Sequence, residues 1–205
     1  REAYFAWAQA NCGMVGRSPD FLNVMLAALA AKKSFFAEDS AERANNVFEY
    51  YRFVARNDLF MTHALLDPQL DKGKLRNEQS DPAICLQVVD ENENGIVLSG
   101  IKRIATAAPY ADELLVWPFP PTFQRGEESY ANVFAIPMNT KGLKTICRPS
   151  FSNIGTTRDF PLSSRFDEMD ATVVFEDVLV PWDRVFVYKN VSLLNRMYRD
   201  SRMRE

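Results

Sequence analysis

The hydrophobic period of this chain changes once, near Pro68, from steps of three and four residues to steps of two. A helix brings side chains back to one face every 3.6 residues or so and a strand every second residue, so the change divides the chain into a helical half and a strand half. Ahead of it, Arg1 to Gly13 is rich in alanine and aromatics at helical spacing. Phe21 to Phe36 repeats apolar residues behind a Ser18-Pro19-Asp20 start signal. Asp39 to Phe53 sets Glu42, Arg43, Glu49 and Arg52 against Val47, Phe48 and Tyr51. Three helices are predicted, the last with one solvated face.

Beyond Pro68, short strands are predicted at Ile84 to Val89, Gly95 to Ile104, Glu113 to Trp117, Tyr130 to Ile136, Leu143 to Arg148, Ala171 to Phe175 and Val185 to Tyr188. Asn94-Gly95 reads as a two-residue hairpin turn, because both residues tolerate positive φ. Pro118, Pro120 and Pro121 break the alternation, so Trp117 to Gly126 is a loop, and a last helix starts near Val191. The class is α+β: a helical segment packed on an antiparallel, barrel-like β-domain. The expected divisions are residues 1–66, 67–190 and 191–205. No Gly/Ser linker separates them, so the halves should pack together. The chain opens at Arg1 and closes at Glu205 inside helical patterns without caps, which suggests a piece of a longer protein.

Composition narrows the function classes. With 205 residues, 47% hydrophobic and 25% charged, the chain has material for a globular core. Its 24 Lys and Arg are scattered among 27 Asp and Glu, so no basic stripe awaits nucleic acid. The longest early apolar run, Val24 to Ala31, is short for a membrane span and lacks a charged leader; neither a membrane helix nor a signal peptide is expected. Cys12, Cys85 and Cys147 form no CxxC pair, so no disulfide framework or metal site is predicted, and reduced thiols in a cytoplasm fit.

The single histidine, His63, stands at the seam between the two halves, where imidazole can donate to an anionic oxygen or accept from a hydroxyl. No GxGxxG, GxxxxGK[ST], HExxH or GxSxG is present. Asp67, four residues past His63, reads as a turn former beside Pro68 rather than an orienting carboxylate. Asp112-Glu113 and Asp167-Glu168 are adjacent pairs whose side chains face opposite ways on a strand, and surface or loop roles are expected for them.

Several segments carry a resemblance in order: Gly16-Arg17-Ser18-Pro19-Asp20-Phe21; Asn57-Asp58 through Thr62-His63-Ala64 to Asp67-Pro68-Gln69; Ser99-Gly100-Ile101-Lys102-Arg103-Ile104-Ala105-Thr106; Pro109 to Glu113; Ala135-Ile136-Pro137; Pro161 to Asp170; and Val180-Pro181-Trp182. Together they resemble the large, oxygenase component of the 4-hydroxyphenylacetate 3-monooxygenase family. The resemblance implies an acyl-CoA-dehydrogenase-like fold of which the C-terminal helical bundle is missing here. It implies a two-component aromatic hydroxylase: a separate NAD(P)H:flavin reductase supplies reduced FAD, dioxygen is the co-substrate, and a flavin hydroperoxide delivers one oxygen ortho to a phenolic hydroxyl. A homotetramer is implied for the whole protein.

Carried onto this sequence, the resemblance places the substrate-binding arginine at Arg17, a neighbouring aromatic at Phe21 and the substrate-binding histidine at His63, with Arg17 and His63 catalytic. A guanidinium and an imidazole both favour phenolate over phenol, which makes the ortho carbon more nucleophilic. Flavin contacts map to Thr62, His63 and Ala64, to Gln69, Leu70, Asp71 and Lys72, and to Thr106 beside the flavin N5. Two positions depart from the family: Phe21 stands where tyrosine is usual, and Pro118-Phe119-Pro120-Pro121 replaces small hydroxyl residues against the substrate tail. Phe119 and Pro120 there suggest a more apolar phenol than 4-hydroxyphenylacetate. Equally, a shifted loop would give those contacts to Thr122 or Ser129. Three rivals are an acyl-CoA dehydrogenase proper, the iron-sulfur 4-hydroxybutyryl-CoA dehydratase branch, for which the cysteine spacing is unsuitable, and a catalytically incomplete binding module.

Overall fold

The computed structural model describes residues 1–15, 18, 20–68, 71–119, 122–153 and 155–200. Arg17, Gln69, Leu70 and Pro120, all expected at the site, lie outside the described residues. The helical half holds α1 (Glu2–Ala10), α2 (Phe21–Ala31), the single turn α3 (Lys33–Phe36) and α4 (Ala41–Asn57). The strand half holds β2 (Gln87–Asn92), β3 (Gly95–Thr106), β4 (Glu113–Val116), β5 (Val133–Pro137), β6 (Leu143–Cys147), β7 (Asp170–Pro181) and β8 (Val185–Val187), followed by α5 (Val191–Asp200). One strand was not foreseen: β1 (Met61–Ala64), which carries His63. No described helix is long and apolar enough to cross a membrane.

The α+β class is borne out, and the barrel-like part is built as two four-stranded sheets, ordered β1-β4-β5-β8 and β2-β3-β7-β6. Among the described residues the named strands pair antiparallel except β1 with β4, which runs parallel with His63 opposite Leu115. β1 precedes residue 67, so the helical half contributes a strand to the first sheet. Its four residues are all buried, and a strand covered on both faces has no alternation to read.

Two apolar cores follow from the layers. Leu22, Leu26, Leu29, Phe36, Val47 and Tyr50 of the helices pack on Met61, Leu115, Trp117 and Phe186, closing the helices onto the first sheet. Leu98, Leu114, Phe134, Val173, Phe175 and Val180 fill the space between the sheets. Side chains such as Trp117 and Phe36, fully enclosed, each hold about 3–5 kcal/mol against truncation to alanine.

Local chemistry moves several predicted boundaries. The expected helix from Phe21 to Phe36 breaks at Lys32, whose φ of −102° and ψ of 36° leave the helical region, and the break lets both Phe35 and Phe36 turn inward. The Ser40 hydroxyl caps α4 by accepting from the Arg43 N–H. The hairpin falls where expected, but its turn residues are Glu93 and Asn94, since Asn92 pairs with Gly95. Gly95 is needed for a different reason: a Cβ there would stand 2.0 Å from the Val180 carbonyl oxygen of β7. β7 runs well past Phe175 through Glu176 and Asp177, where Asp177 at φ 49° marks the irregularity that interrupts the apolar pattern. The expected strand start at Tyr130 is instead a 3-10 turn, Glu128–Tyr130.

Candidate functional site

β1 delivers His63 into the seam, and aromatic rings fix it there. The imidazole is 8% exposed and stacks on the Trp117 indole at 5.7 Å between centroids and 21° between planes. The Phe21 ring, at the first turn of α2, meets it edge-on at 5.6 Å. Thr62, the residue before, is fully buried, and its hydroxyl donates to the Thr106 carbonyl at 2.5 Å, tying β1 to the end of β3. Thr106 in turn donates its own hydroxyl to Asp170 Oδ1 at 2.7 Å, across the ladder from β3 to β7.

Phe21 and Thr106 line one cavity of about 170 Å³, together with Trp7, Phe60 and Tyr110. That is below the roughly 300–1,000 Å³ typical of sites for larger ligands, a space for a single ring. Asp71, Lys72 and Phe119 line a second cavity of about 420 Å³ with Leu66, Cys85, Thr122 and Phe123. The structure thus brings Phe21, His63, Thr62 and Thr106 together, and gathers Asp71, Lys72 and Phe119 elsewhere. Ala64 packs in the core between the sheets, which leaves only its backbone to meet a cofactor. Phe119 and Thr122 both face the larger cavity, so the two readings of that loop share one location.

The wall of the larger cavity holds a charged cluster that the sequence did not announce. Asp67 is not a mere turn former: its carboxylate accepts from Lys102 Nζ at 2.5 Å and from Arg76 Nε at 2.7 Å. Arg76 continues to Glu127 at 3.2 Å through its guanidinium and donates its backbone N–H to the same carboxylate at 3.1 Å. Glu127 and Lys102 are almost wholly enclosed. Burial would push the Asp67 carboxyl up, but the Lys102 and Arg76 charges outweigh it and hold the group below the usual carboxylate range. Neighbouring Cys85 is pushed up to about 11, chiefly by burial.

Glu113 departs from the surface or loop role expected for it, whereas Asp167 lies in a loop as expected, though with a dense set of partners. Glu113 is buried and accepts from Tyr50 Oη at 3.0 Å and Arg184 Nη1 at 2.9 Å, which fastens α4 to β4. Burial raises its carboxyl despite both partners. Asp167 takes Arg148, the Ser150 hydroxyl and the Phe151 and Met169 N–H groups, and its carboxyl is held well below the ordinary value by the Arg148 contact. Sequence reasoning missed Asp170 and Trp117 at the site. Asp170 becomes visible only once Thr106 is known to pair with it across the sheet.

The donor set suits a flavin in kind: an uncharged hydroxyl at the wall of a ring-sized, aromatic-lined cavity, and a solvent-exposed Lys72 with no ion-pair partner among the described residues. These features define a class, an α+β chain with an aromatic-lined, ring-sized cavity between helices and a two-sheet domain.

Residues 1–187 match the family described as 4-hydroxyphenylacetate 3-hydroxylase N terminal, and the chain belongs to it. It is 44% identical over 204 residues to the 4-hydroxyphenylacetate 3-monooxygenase oxygenase component of Geobacillus sp. (strain PA-9), covering 98% of this chain and 41% of that one. The oxygenase component of the same name from Thermus thermophilus is 46% identical over 198 residues, covering 96% and 40%. The fold superposes with a TM-score of 0.85 on a crystal structure of the oxygenase component of 4-hydroxyphenylacetate 3-monooxygenase complexed with FAD and 4-hydroxyphenylacetate, at 45% identity over 97% of this chain and 40% of the other. The chain therefore spans about two fifths of the length of these relatives.

Proposed function

We propose that this chain forms the substrate-side part of an oxygenase component that hydroxylates a phenol ortho to its hydroxyl, using reduced FAD from a separate NAD(P)H:flavin reductase. The observation that carries it is an aromatic seam in which Phe21 and Trp117 flank His63, beside the ring-sized cavity that Phe21 and Thr106 line, in a chain of this family. Reduced FAD supplies the electrons and the activated oxygen: one oxygen atom enters the ring, and the other leaves as water as FAD is oxidised. The protein's contribution is to orient the ring, stabilise charge and exclude water. In this reading His63 and Arg17 hold the phenolic oxygen as phenolate, Phe21 and Trp117 fix the imidazole plane, and Thr106 faces the flavin N5. Lys72 and its neighbours from Gln69 to Asp71 offer contacts to the cofactor's anionic part. The complete protein is proposed as a homotetramer acting in the cytoplasm.

Phe119 lines the larger cavity and not the one that Phe21 and Thr106 share, so the preference for a phenol with an apolar tail rests on the Pro118-Phe119-Pro120-Pro121 sequence alone. The test is a reaction of the complete protein with anaerobically reduced FAD, a phenol panel and ¹⁸O₂. A catechol carrying one labelled oxygen is expected, formed faster from an apolar para-substituted phenol than from 4-hydroxyphenylacetate. Preference for the acid overturns the apolar tail alone, and absence of labelled catechol from every phenol overturns the proposed reaction.

A further inference from the structure

Thr106 closes β3 and Asp170 opens β7, and the two are direct partners in the antiparallel ladder. The hydrogen bond between them has a fixed direction. A carboxylate only accepts, so the Thr106 hydroxyl hydrogen points to Asp170 Oδ1 at 2.7 Å. The carboxylate is itself steadied from its other oxygen, where Arg148 Nε lies 3.7 Å from Oδ2. What Thr106 Oγ1 retains is lone pairs, on a residue that is 3% exposed and lines the 170 Å³ cavity.

We propose that Asp170 is a positioning residue that makes Thr106 an obligate acceptor, so that the site favours the reduced over the oxidised form of a flavin. The inference rests on the flavin reading above, in which the chain takes reduced FAD, and adds Asp170 as the residue that sets the preference. The N5 of an oxidised isoalloxazine is an acceptor; in the reduced ring it carries a hydrogen and donates. An oxygen with its hydrogen already committed matches the second and opposes the first. A two-component oxygenase needs such a bias, because it must take up reduced cofactor and let oxidised cofactor go. Thr106 alone would not provide it, since a free hydroxyl turns to serve either form.

The experiment compares dissociation constants of the complete protein for oxidised FAD and for FAD reduced anaerobically with dithionite. The variants are Asp170→Ala, Thr106→Val, Thr106→Ser and the double Asp170→Ala/Thr106→Val. Wild type should bind the reduced form more tightly. Asp170→Ala and Thr106→Val should each cut that preference about tenfold, the scale of one hydrogen bond. For a two-electron couple, a tenfold loss is a fall of about 30 mV in the bound flavin's potential. Thr106→Ser should keep the preference, and the double variant should lose no more than either single one, because both changes remove the same contact. The side chain of Asp170 is 41% exposed, so its truncation should leave the fold in place. An unchanged preference in Asp170→Ala, with Thr106→Val lowered, overturns the role of Asp170. Unchanged preference in all variants overturns the selection mechanism while leaving flavin binding intact. Failure of wild type to bind either form overturns the flavin reading and this inference with it.

Discussion

The two cavities, one reached past Phe60 just before β1 and the other past Leu66 just after it, differ in what their polar groups have left to give. The larger is rich in charge, and its buried charges are already committed: Asp67 to Lys102 and Arg76, and Arg76 to Glu127. The smaller is walled largely by rings, with the Asp167 and Glu168 side chains at its wall, Asp167 already paired with Arg148, and with Thr106, whose hydroxyl hydrogen is given to Asp170. Buried charge in the larger cavity therefore marks architecture, and the smaller cavity, with its aromatic walls, is the one sized for a ring. The four buried charges are already paired with one another, so a ligand entering there competes with partners in place, whereas the ring-sized space offers aromatic faces to a phenol.

If that contrast holds, the largest single effect should come from the charged wall and should be a loss of stability. Arg76→Met leaves Glu127 enclosed without its cation and Asp67 with one partner in place of two. A cost of about 3–5 kcal/mol is expected, the scale for breaking a buried pair from one side. Urea unfolding measures it, and adding Glu127→Gln to Arg76→Met should recover part of the loss. A cost below about 1 kcal/mol would mean the cluster is solvated and the contrast is false.

His63→Gln tests the other side. A drop of about 10²–10³-fold in kcat/KM is expected, the scale for losing one preorganised donor to a developing oxyanion, with a much smaller change in the urea midpoint than Arg76→Met gives. Steady-state assays across phenols of differing acidity separate the cases. The loss should be smallest for phenols that are already ionised at the assay pH, because His63 has least to add there. An equal loss for all of them would make the histidine a packing residue.

How much of this was legible beforehand depends on whether a feature repeats along the chain. α4 and the β2–β3 hairpin were readable because amphipathic spacing and turn residues are local signals. β1 was not, since it is four residues long and buried on both faces. The charged cluster was invisible for a different reason. Asp67, Arg76, Lys102 and Glu127 come from separate segments, and a pairing across that distance leaves no periodic trace. His63 was read from its place at the seam and Phe21 through the resemblance, and the ring stack on His63 needed Trp117, which the strand pattern had assigned only to a strand end.

Acid stability sharpens the same contrast. Asp67 titrates lower in the folded chain than in the unfolded one, so its contribution is complete above the unfolded carboxylate value near 3.8 and is lost as the pH falls through the folded value. Glu113 is shifted the opposite way, so its ionisation works against the fold and acidification relieves it. Asp67→Asn should therefore be less stable than wild type at neutral pH and should lose less on going from pH 5 to pH 2.5. Glu113→Gln should steepen that acid loss. Parallel pH profiles for Asp67→Asn and wild type would show that the cluster does not couple to folding.

The smallest effect reads the balance of the charged wall directly, through Cys85. Its thiol is buried beside Asp67, Lys102 and Arg76 and is pushed up to about 11, burial leading and Asp67 adding to it while the two cations pull the other way. A thiol raised to that value should react with a neutral thiol reagent at pH 8 about two hundredfold more slowly than free cysteine, whose value is roughly 8.5, from thiolate fraction alone. Removing Asp67 takes away the anion and leaves both cations facing the sulfur. Asp67→Asn should then speed labelling of Cys85, followed by peptide mass analysis to separate it from the exposed Cys12 and Cys147. Faster labelling with the fold intact means the cavity's cations act on whatever lies inside once their partner is gone, so it is the pairing with Asp67, rather than any lack of charge, that keeps this wall chemically silent. Unaltered labelling would mean that burial alone governs the thiol and that the charges cancel too locally for their balance to be felt across the cavity.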